Sequence, residues 1–200
     1  LSNNQQVLHF IPHHARDRVV DLLDKDGLVV KVKQERKTKH GDYRSLHNGM
    51  HQITINANLN PYRFLITLIH EIAHFEAYQN YGYRIKPHGK EWKQTFQHIM
   101  LPFISPDIFP NELLPLLARH FINPKASTDT DAQLSLALKQ YNEGEAKTYV
   151  FELPLGQKFK IYNGRTFKRG RKRRKRYECM ELKTNKVYLF NPNVEVEALN

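Results

Sequence analysis

Apolar and polar positions repeat with two different periods along the chain, and the periods divide it into segments. Within residues 7–26, Val19, Val20, Leu22 and Leu23 share a helical face, with Pro12 suited to the start of the helix and Asp26-Gly27 to its end. Residues 28–38 alternate instead, Val30 and Val32 against Lys31 and Lys33, which is the pattern of a strand. Residues 39–50 are rich in turn formers, and residues 51–57 alternate again through Ile53 and Ile55. A small meander of two or three strands is expected here. From residue 61 the spacing becomes helical: Phe64, Leu65, Leu68, Ile69, Ile72, Ala73 and Phe75 leave little polar face over 61–80, so this helix should be buried. Pro61 suits its first turn and Gly82 its end. Further helices are expected at 88–100, through Trp92, Phe96, Ile99 and Met100, and at 110–121.

Beyond residue 122 the character changes. Residues 122–147 are polar and loop-like, with room for a short helix through Leu134, Leu138 and Tyr141. The tail from 148 to 197 reads as short strands, and Asn163-Gly164 is a hairpin signal between two of them. The expected fold class is α+β, with one domain over 1–145 and a small β-rich basic domain over 146–200. No repeat occurs at solenoid periods.

Within the buried helix lies His70-Glu71-Ile72-Ala73-His74, an H-E-x-x-H motif. Positions four apart on a helix lie about 40° apart around its axis, so His70 and His74 can share one zinc ion. Glu71 can then take a proton from a water at the open side of the metal, as general base. Eleven histidines in 200 residues make a chance match an event of order a few per cent, and the apolar flanks argue further against a solvated helix face. A third ligand is needed downstream. Ala77 and Asn80 exclude the metzincin pattern, which requires Gly and His there. His88 and Glu91 are the candidates, with His98 more remote. Either one leaves the fourth tetrahedral position open, as catalytic zinc requires. Residue chemistry favours His88 only modestly.

The motif together with Pro87-His88-Gly89-Lys90-Glu91-Trp92, and the lead-in Ile53-Thr54-Ile55-Asn56, resembles the SprT-like zinc metallopeptidases, relatives of the eukaryotic protease Spartan. The resemblance covers residues 12–105 well. It implies a compact α+β zincin-type domain, one catalytic zinc held by His70, His74 and His88, and Glu71 as general base. It also implies protein substrates, since the best-studied members cleave proteins covalently trapped on DNA. Several members carry a cysteine-rich zinc ribbon after the protease domain. Here the only cysteine is Cys179, so no second, structural zinc is expected.

Charge adds a partner. The chain has net charge +11, and residues 145–200 hold fourteen Lys/Arg against six Asp/Glu, a net +8. Lys168, Arg169, Arg171, Lys172, Arg173, Arg174, Lys175 and Arg176 fill eight of nine consecutive positions, interrupted only by Gly170. A cationic loop or arm between two strands is expected, binding DNA or another nucleic acid through phosphates. Tyr162, Phe167 and Tyr177 offer aromatic faces for stacking. Apolar residues make up 40% of the chain and charged residues 26%, an ordinary globular balance that excludes wholesale disorder. No run of eighteen apolar residues exists, so no membrane span is expected. The opening Leu-Ser-Asn-Asn-Gln-Gln lacks the marks of a secretory signal, and without an initiator Met it fits a trimmed chain. The expected location is cytoplasmic, at the nucleoid in a bacterium.

Two functions compete: a zinc metallopeptidase acting near nucleic acid, and a nucleic-acid-associated regulatory or binding protein whose zinc is structural. Glu71 separates them, because a structural site needs no general base. Of the other histidines, His13, His14, His40, His47, His51 and His120 receive no role, and Tyr62, Tyr78, Tyr81 and Tyr83 read as packing at the edge of the motif helix.

Overall fold

A computed structural model describes residues 3–36, 39–47, 49–142, 148–174, 176–192 and 194–199. These form two compact units, one of residues 1–128 with 136–142, the other of 129–135 with 143–200. The expected boundary near 146 lies outside the described residues. The whole is mixed α and β, with two separate sheets.

In the first unit the chain opens with α1 (Asn3–Gln6), two short 3-10 turns and α2 (Arg16–Leu23). The helix expected to start at Pro12 is present, as the second 3-10 turn (His13–Ala15) running into α2. Ile11 is extended, with φ −116° and ψ 160°, because the residue before a proline is pushed out of the helical region. The pieces still bury Val7, Ile11, Ala15, Val19 and Leu23, and Phe10 stacks on Phe64 at 5.2 Å.

The sheet follows: β1 (Leu28–Lys33), β2 (Gly41–Ser45) and β3 (His51–Asn56), in spatial order β1-β3-β2. This is not a meander. β1 pairs parallel with β3, Val30 opposite Ile53, while β2 pairs antiparallel with β3, Tyr43 opposite Ile53. The reason lies in β3, which is buried along nearly its whole length although Thr54 and Asn56 are polar. Arg36, in the crossover from β1, donates from Nε to Asn56 Oδ1 and from Nη1 to Thr54 Oγ1, both at 2.8 Å. A face that reads as solvated is thus covered by one guanidinium, and the strand becomes central. β2 takes the edge, in a segment whose polar sequence reads as turn.

Helix α3 (Pro61–Tyr81) packs on β2 and β3 and spans about 30 Å at 1.5 Å per residue. Its start is set by Asn60, whose Oδ1 accepts from the Arg63 N–H at 2.9 Å, with Pro61 at the first position. The same buried side chain donates from Nδ2 to the Leu138 carbonyl at 2.8 Å and to Asn142 Oδ1 at 2.7 Å. At the far end Gly82, at φ 76°, stops the helix. Helix α4 (Lys90–Met100) lies against α3 and buries Trp92, Phe96 and Met100. Helix α5 (Leu114–Ile122) begins later than expected, and α6 (Ala132–Lys139) follows.

The second unit is a six-stranded antiparallel sheet of β4 (Thr148–Tyr149), β5 (Lys158–Lys160), β6 (Thr166–Arg173), β7 (Arg176–Glu181), β8 (Val187–Phe190) and β9 (Glu195–Leu199), in spatial order β4-β9-β5-β6-β7-β8. Val150, Leu153, Phe159, Phe167, Tyr177 and Cys179 form its core. The turn between β5 and β6 carries Gly164 at φ 81°, as Asn163-Gly164 predicts. The stretch 148–153 is strand only at its first two residues. It then turns in a 3-10 helix, where Glu152 Oε2 accepts from the Tyr149 N–H at 2.7 Å.

Asn60 makes one capping bond and two tethers from a single buried amide. Asn60→Ala is expected to lower stability by about 1–2 kcal/mol. Asn60→Asp, which keeps the capping oxygen, should lose less. Urea denaturation of the three proteins decides it, and equal midpoints would mean that the cap and tethers contribute nothing.

Candidate metal centre

His70, Glu71 and His74 project from the middle of α3, between turns that bury Thr67, Ile69, Ile72 and Phe75. α4 lays Trp92 onto this face. Its ring centroid lies 4.7 Å from that of His70, 5.2 Å from His74 and 4.6 Å from His88. Phe96 meets the His70 ring at 5.3 Å. His88 arrives from the turn before α4, closed by the Gly89 N–H on the Lys86 carbonyl at 2.8 Å. A Cβ at Gly89 would lie 2.8 Å from that same oxygen, so the turn needs bare backbone. His88 itself sits at φ 58°, a left-handed conformation that costs a side-chain-bearing residue about 1–2 kcal/mol.

That strained backbone joins the third imidazole to the other two. The Nε2 atoms form a triangle: His70 to His74 3.3 Å, His74 to His88 3.0 Å, His88 to His70 3.2 Å. A neutral imidazole nitrogen is either donor or acceptor. Three mutual neighbours cannot alternate around a triangle, so at least one contact sets like against like. A cation at the centre removes the conflict by facing all three lone pairs at once. Zn–N bonds of about 2.0–2.1 Å at tetrahedral angles would hold the nitrogens about 3.3–3.4 Å apart, close to what is observed. Burial pushes the pKa of His70 well below its ordinary value, that of His74 to about 4 and that of His88 down, with the neighbouring imidazoles adding to the effect on His70 and His74. At neutral pH all three are therefore in the unprotonated form that binds a metal. Among the described residues this is the only group of three or more metal-ligating side chains so arranged. Glu91 stands in the first turn of α4 outside the group, and His98 is exposed on that helix.

Glu71 lies beside the triangle, 7% exposed. Burial raises its pKa to about 8, and Asp42 adds to the rise. Arg36, Lys39 and a hydrogen bond from the Tyr43 N–H oppose it. β2 passes so close that a Cβ on Gly41 would lie 2.5 Å from Glu71 Oε1 and 2.8 Å from Thr67 Cγ2. A cavity of about 430 Å³ opens over these groups, walled on one side by Gly41, Asp42 and Tyr43 and on the other by Tyr83 and Lys86. Of the tyrosines read as packing, Tyr78 and Tyr83 line the cavity, whereas Tyr62 packs on Phe109 and Tyr141.

The model of the SprT-like family matches residues 9–108, half of the chain. The chain belongs to the SprT-like family. The family is of metallopeptidase type, with zinc as its metal and DNA-associated roles. No solved structure matches the chain. The SprT-like match spans the sheet, α3 and α4, and so includes every residue of the triangle.

Reading the SprT-like motif alone misses the strand above it. Tyr43 lies parallel to the His74 ring, planes 7° apart and centroids 6.2 Å apart. Its hydroxyl is 2.9 Å from Nδ1 of His51, a histidine only 5% exposed at the start of β3. Neither residue belongs to a motif. The one available signal is a Gly and an aromatic residue close together in a polar segment, which also describes a turn.

In the second unit the basic run is not a loop. Lys168, Arg169, Arg171, Lys172 and Arg173 lie on β6, Arg174 in the turn and Arg176 at the start of β7, while Lys175 lies outside the described residues. Nor is the run without a counter-charge. Glu178, across the hairpin, pairs with Arg171 Nε at 3.1 Å and Arg173 Nε at 3.2 Å. The Arg169 guanidinium lies 4.3 Å over the Tyr177 ring. Gly170 marks an irregularity in the β6–β7 register, where a Cβ would lie 2.6 Å from the Glu178 carbonyl oxygen.

The metal assignment has a direct test. Elemental analysis of the purified chain should find about one zinc ion per chain. His88→Ala should take that content close to zero, and Glu91→Ala should leave it unchanged. The reverse result would make Glu91 the third ligand.

Proposed function

We propose that the chain is a zinc-dependent metalloendopeptidase of the H-E-x-x-H type acting on proteins bound or crosslinked to DNA. One observation carries the reading: a buried carboxylate stands beside three converging imidazole nitrogens, under an open cavity. His70, His74 and His88 would hold the zinc. When bound, zinc supplies Lewis-acid polarisation of a carbonyl and lowers the pKa of water. Glu71 takes the proton of the attacking water and passes it to the leaving amine. The carboxylate must be ionised to take that proton, and the burial that raises its pKa then favours holding the proton until the amine leaves. The Tyr43 N–H and the close approach of Gly41 fix the carboxylate in place. Trp92, packed against all three imidazoles, keeps their rings from turning away.

Residues 1–145 make the peptidase domain in this reading, and 146–200 a separately folded basic domain that holds nucleic acid. Phosphates meet the exposed Lys168, Lys172, Arg174 and Arg176 of the β6–β7 hairpin. The reading places the protein in the cytoplasm, at the nucleoid in a bacterium. Among the described residues no helix is long and apolar enough to cross a membrane.

Glu71→Gln keeps the shape of the side chain and removes the base. It should abolish cleavage of a DNA-bound protein, leaving at most about 1% of the rate, while zinc content stays at the wild-type level. Full cleavage by this variant would remove Glu71 from the chemistry. A wild type that cleaves no DNA-bound protein, with and without single-stranded DNA, would favour a structural zinc instead.

The hairpin has its own test. Eight charges, two engaged by Glu178, leave about six for phosphate, so log affinity for a single strand should fall with log salt at a slope near −4. Replacing Lys168, Lys172, Arg174 and Arg176 by Gln should flatten the slope to about −1 and weaken every sequence alike. An unchanged slope would remove the hairpin from nucleic-acid binding.

A further inference from the structure

Tyr43, His51 and Gln79 form a chain of hydrogen bonds beside the metal centre. The amide nitrogen of Gln79 lies 3.2 Å from His51 Nε2. With the amide nitrogen as the group that faces the ring, Gln79 has hydrogens to give and no lone pair to accept with, which assigns His51 Nε2 as the acceptor. Burial pushes the His51 pKa down and keeps the ring neutral, so its single N–H is on Nδ1. Nδ1 therefore donates to the Tyr43 hydroxyl oxygen, 2.9 Å away. The planes of the two rings are parallel to within 6°. A phenolic O–H lies in the plane of its ring, where the oxygen has two favoured positions, and His51 occupies one. The Tyr43 proton takes the other, turned away from the buried His51. Tyr43 lines the cavity that also holds His70, Glu71, His74 and His88.

We propose that Tyr43 is a catalytic hydrogen-bond donor: its hydroxyl gives a hydrogen bond to the substrate's carbonyl oxygen as that oxygen gains negative charge, with His51 and Gln79 as positioning residues that turn the proton toward the cavity. The inference rests on the peptidase reading. No proton is transferred and no bond to Tyr43 forms or breaks. A fixed donor aimed at developing charge contributes about 10²–10³ in turnover. A tyrosine whose own proton was committed to His51 would contribute nothing, so the direction of the relay matters as much as the presence of the hydroxyl.

The experiment uses the full zinc-loaded chain and three proteins: wild type, Tyr43→Phe and Gln79→Glu. The exposed side chain at 79 tolerates the exchange, and a carboxylate there accepts from Nε2–H. That reverses the relay, because Nδ1 must then take the Tyr43 proton. Measured near pH 8.5, where the imidazole is neutral, nitrogen NMR of the His51 ring should report Nδ1–H in wild type and Nε2–H in Gln79→Glu. Both variants should lose about 100-fold in kcat with KM little changed. Each should bind a peptide phosphinate, a tetrahedral anion, at least about tenfold more weakly than wild type, with zinc affinity by chelator competition unaltered. A wild-type Nε2–H tautomer overturns the proposal. So does a reversed tautomer with undiminished turnover, or equal phosphinate binding by all three proteins. Should wild type cleave nothing, the peptidase reading fails, and the tautomer and phosphinate measurements still decide the role of Tyr43.

Discussion

Three imidazole nitrogens within 3.0–3.3 Å of one another cannot satisfy one another by hydrogen bonding, and that conflict organises the first unit. The protein groups nearest the rings do not relieve it, since α3 is apolar on either side and Trp92 packs across them. Each feature around the triangle brings the lone pairs together instead of separating them. His88 accepts a left-handed backbone and Gly89 gives up its Cβ so that the turn closes toward α3. Strain of this kind persists only where the surroundings over-determine it. Here α4, anchored by Trp92, Phe96 and Met100, does so.

Glu71 poses the opposite problem. A buried carboxylate is costly to ionise, and the sheet edge is built to moderate that cost without removing it. β2 supplies the Tyr43 N–H, while Arg36 and Lys39 supply positive charge at longer range. Asp42 pushes the other way, held ionised by Lys39 at 2.8 Å and Arg44 at 2.7 Å against its own burial. Arg36 serves twice, because the guanidinium that biases Glu71 also covers the polar face of β3. Removing it would expose both the sheet register and the base, so the crossover from β1 belongs to the site as much as to the fold.

What the sequence made legible follows from where physical information is local. The period of α3 and the four-residue spacing of His70 and His74 are properties of one helix, and both are visible without neighbours. The choice between His88 and Glu91 is not, because it depends on a φ of 58° that no spacing reports. The order of the sheet was hidden for a related reason. Alternation in β3 suggests one wet face, and only the distant Arg36 makes that face dry. β2 has no apolar face to read, since its work is done by a missing Cβ and by backbone N–H. His51 was passed over because a single histidine at a strand end carries no signal until Tyr43 and Gln79 are seen to flank it.

The basic run shows the same limit in the second unit, with a consequence for binding. A loop would have to be ordered by its ligand, and each long side chain fixed costs about 0.5–1.5 kcal/mol. In the hairpin the backbone is already ordered by β6–β7 pairing, and Glu178 holds Arg171 and Arg173 along the strand. These pairs are exposed on the arginine side, 74% and 62%, so each is worth about 0–1 kcal/mol at most. Glu178 keeps the two guanidinium groups extended and spaced along β6. Tyr177, buried beneath Arg169, holds that guanidinium flat at the sheet surface in the same way. In the proposed binding of a polyanion, order in the hairpin lowers the entropic cost without adding any means of reading a sequence.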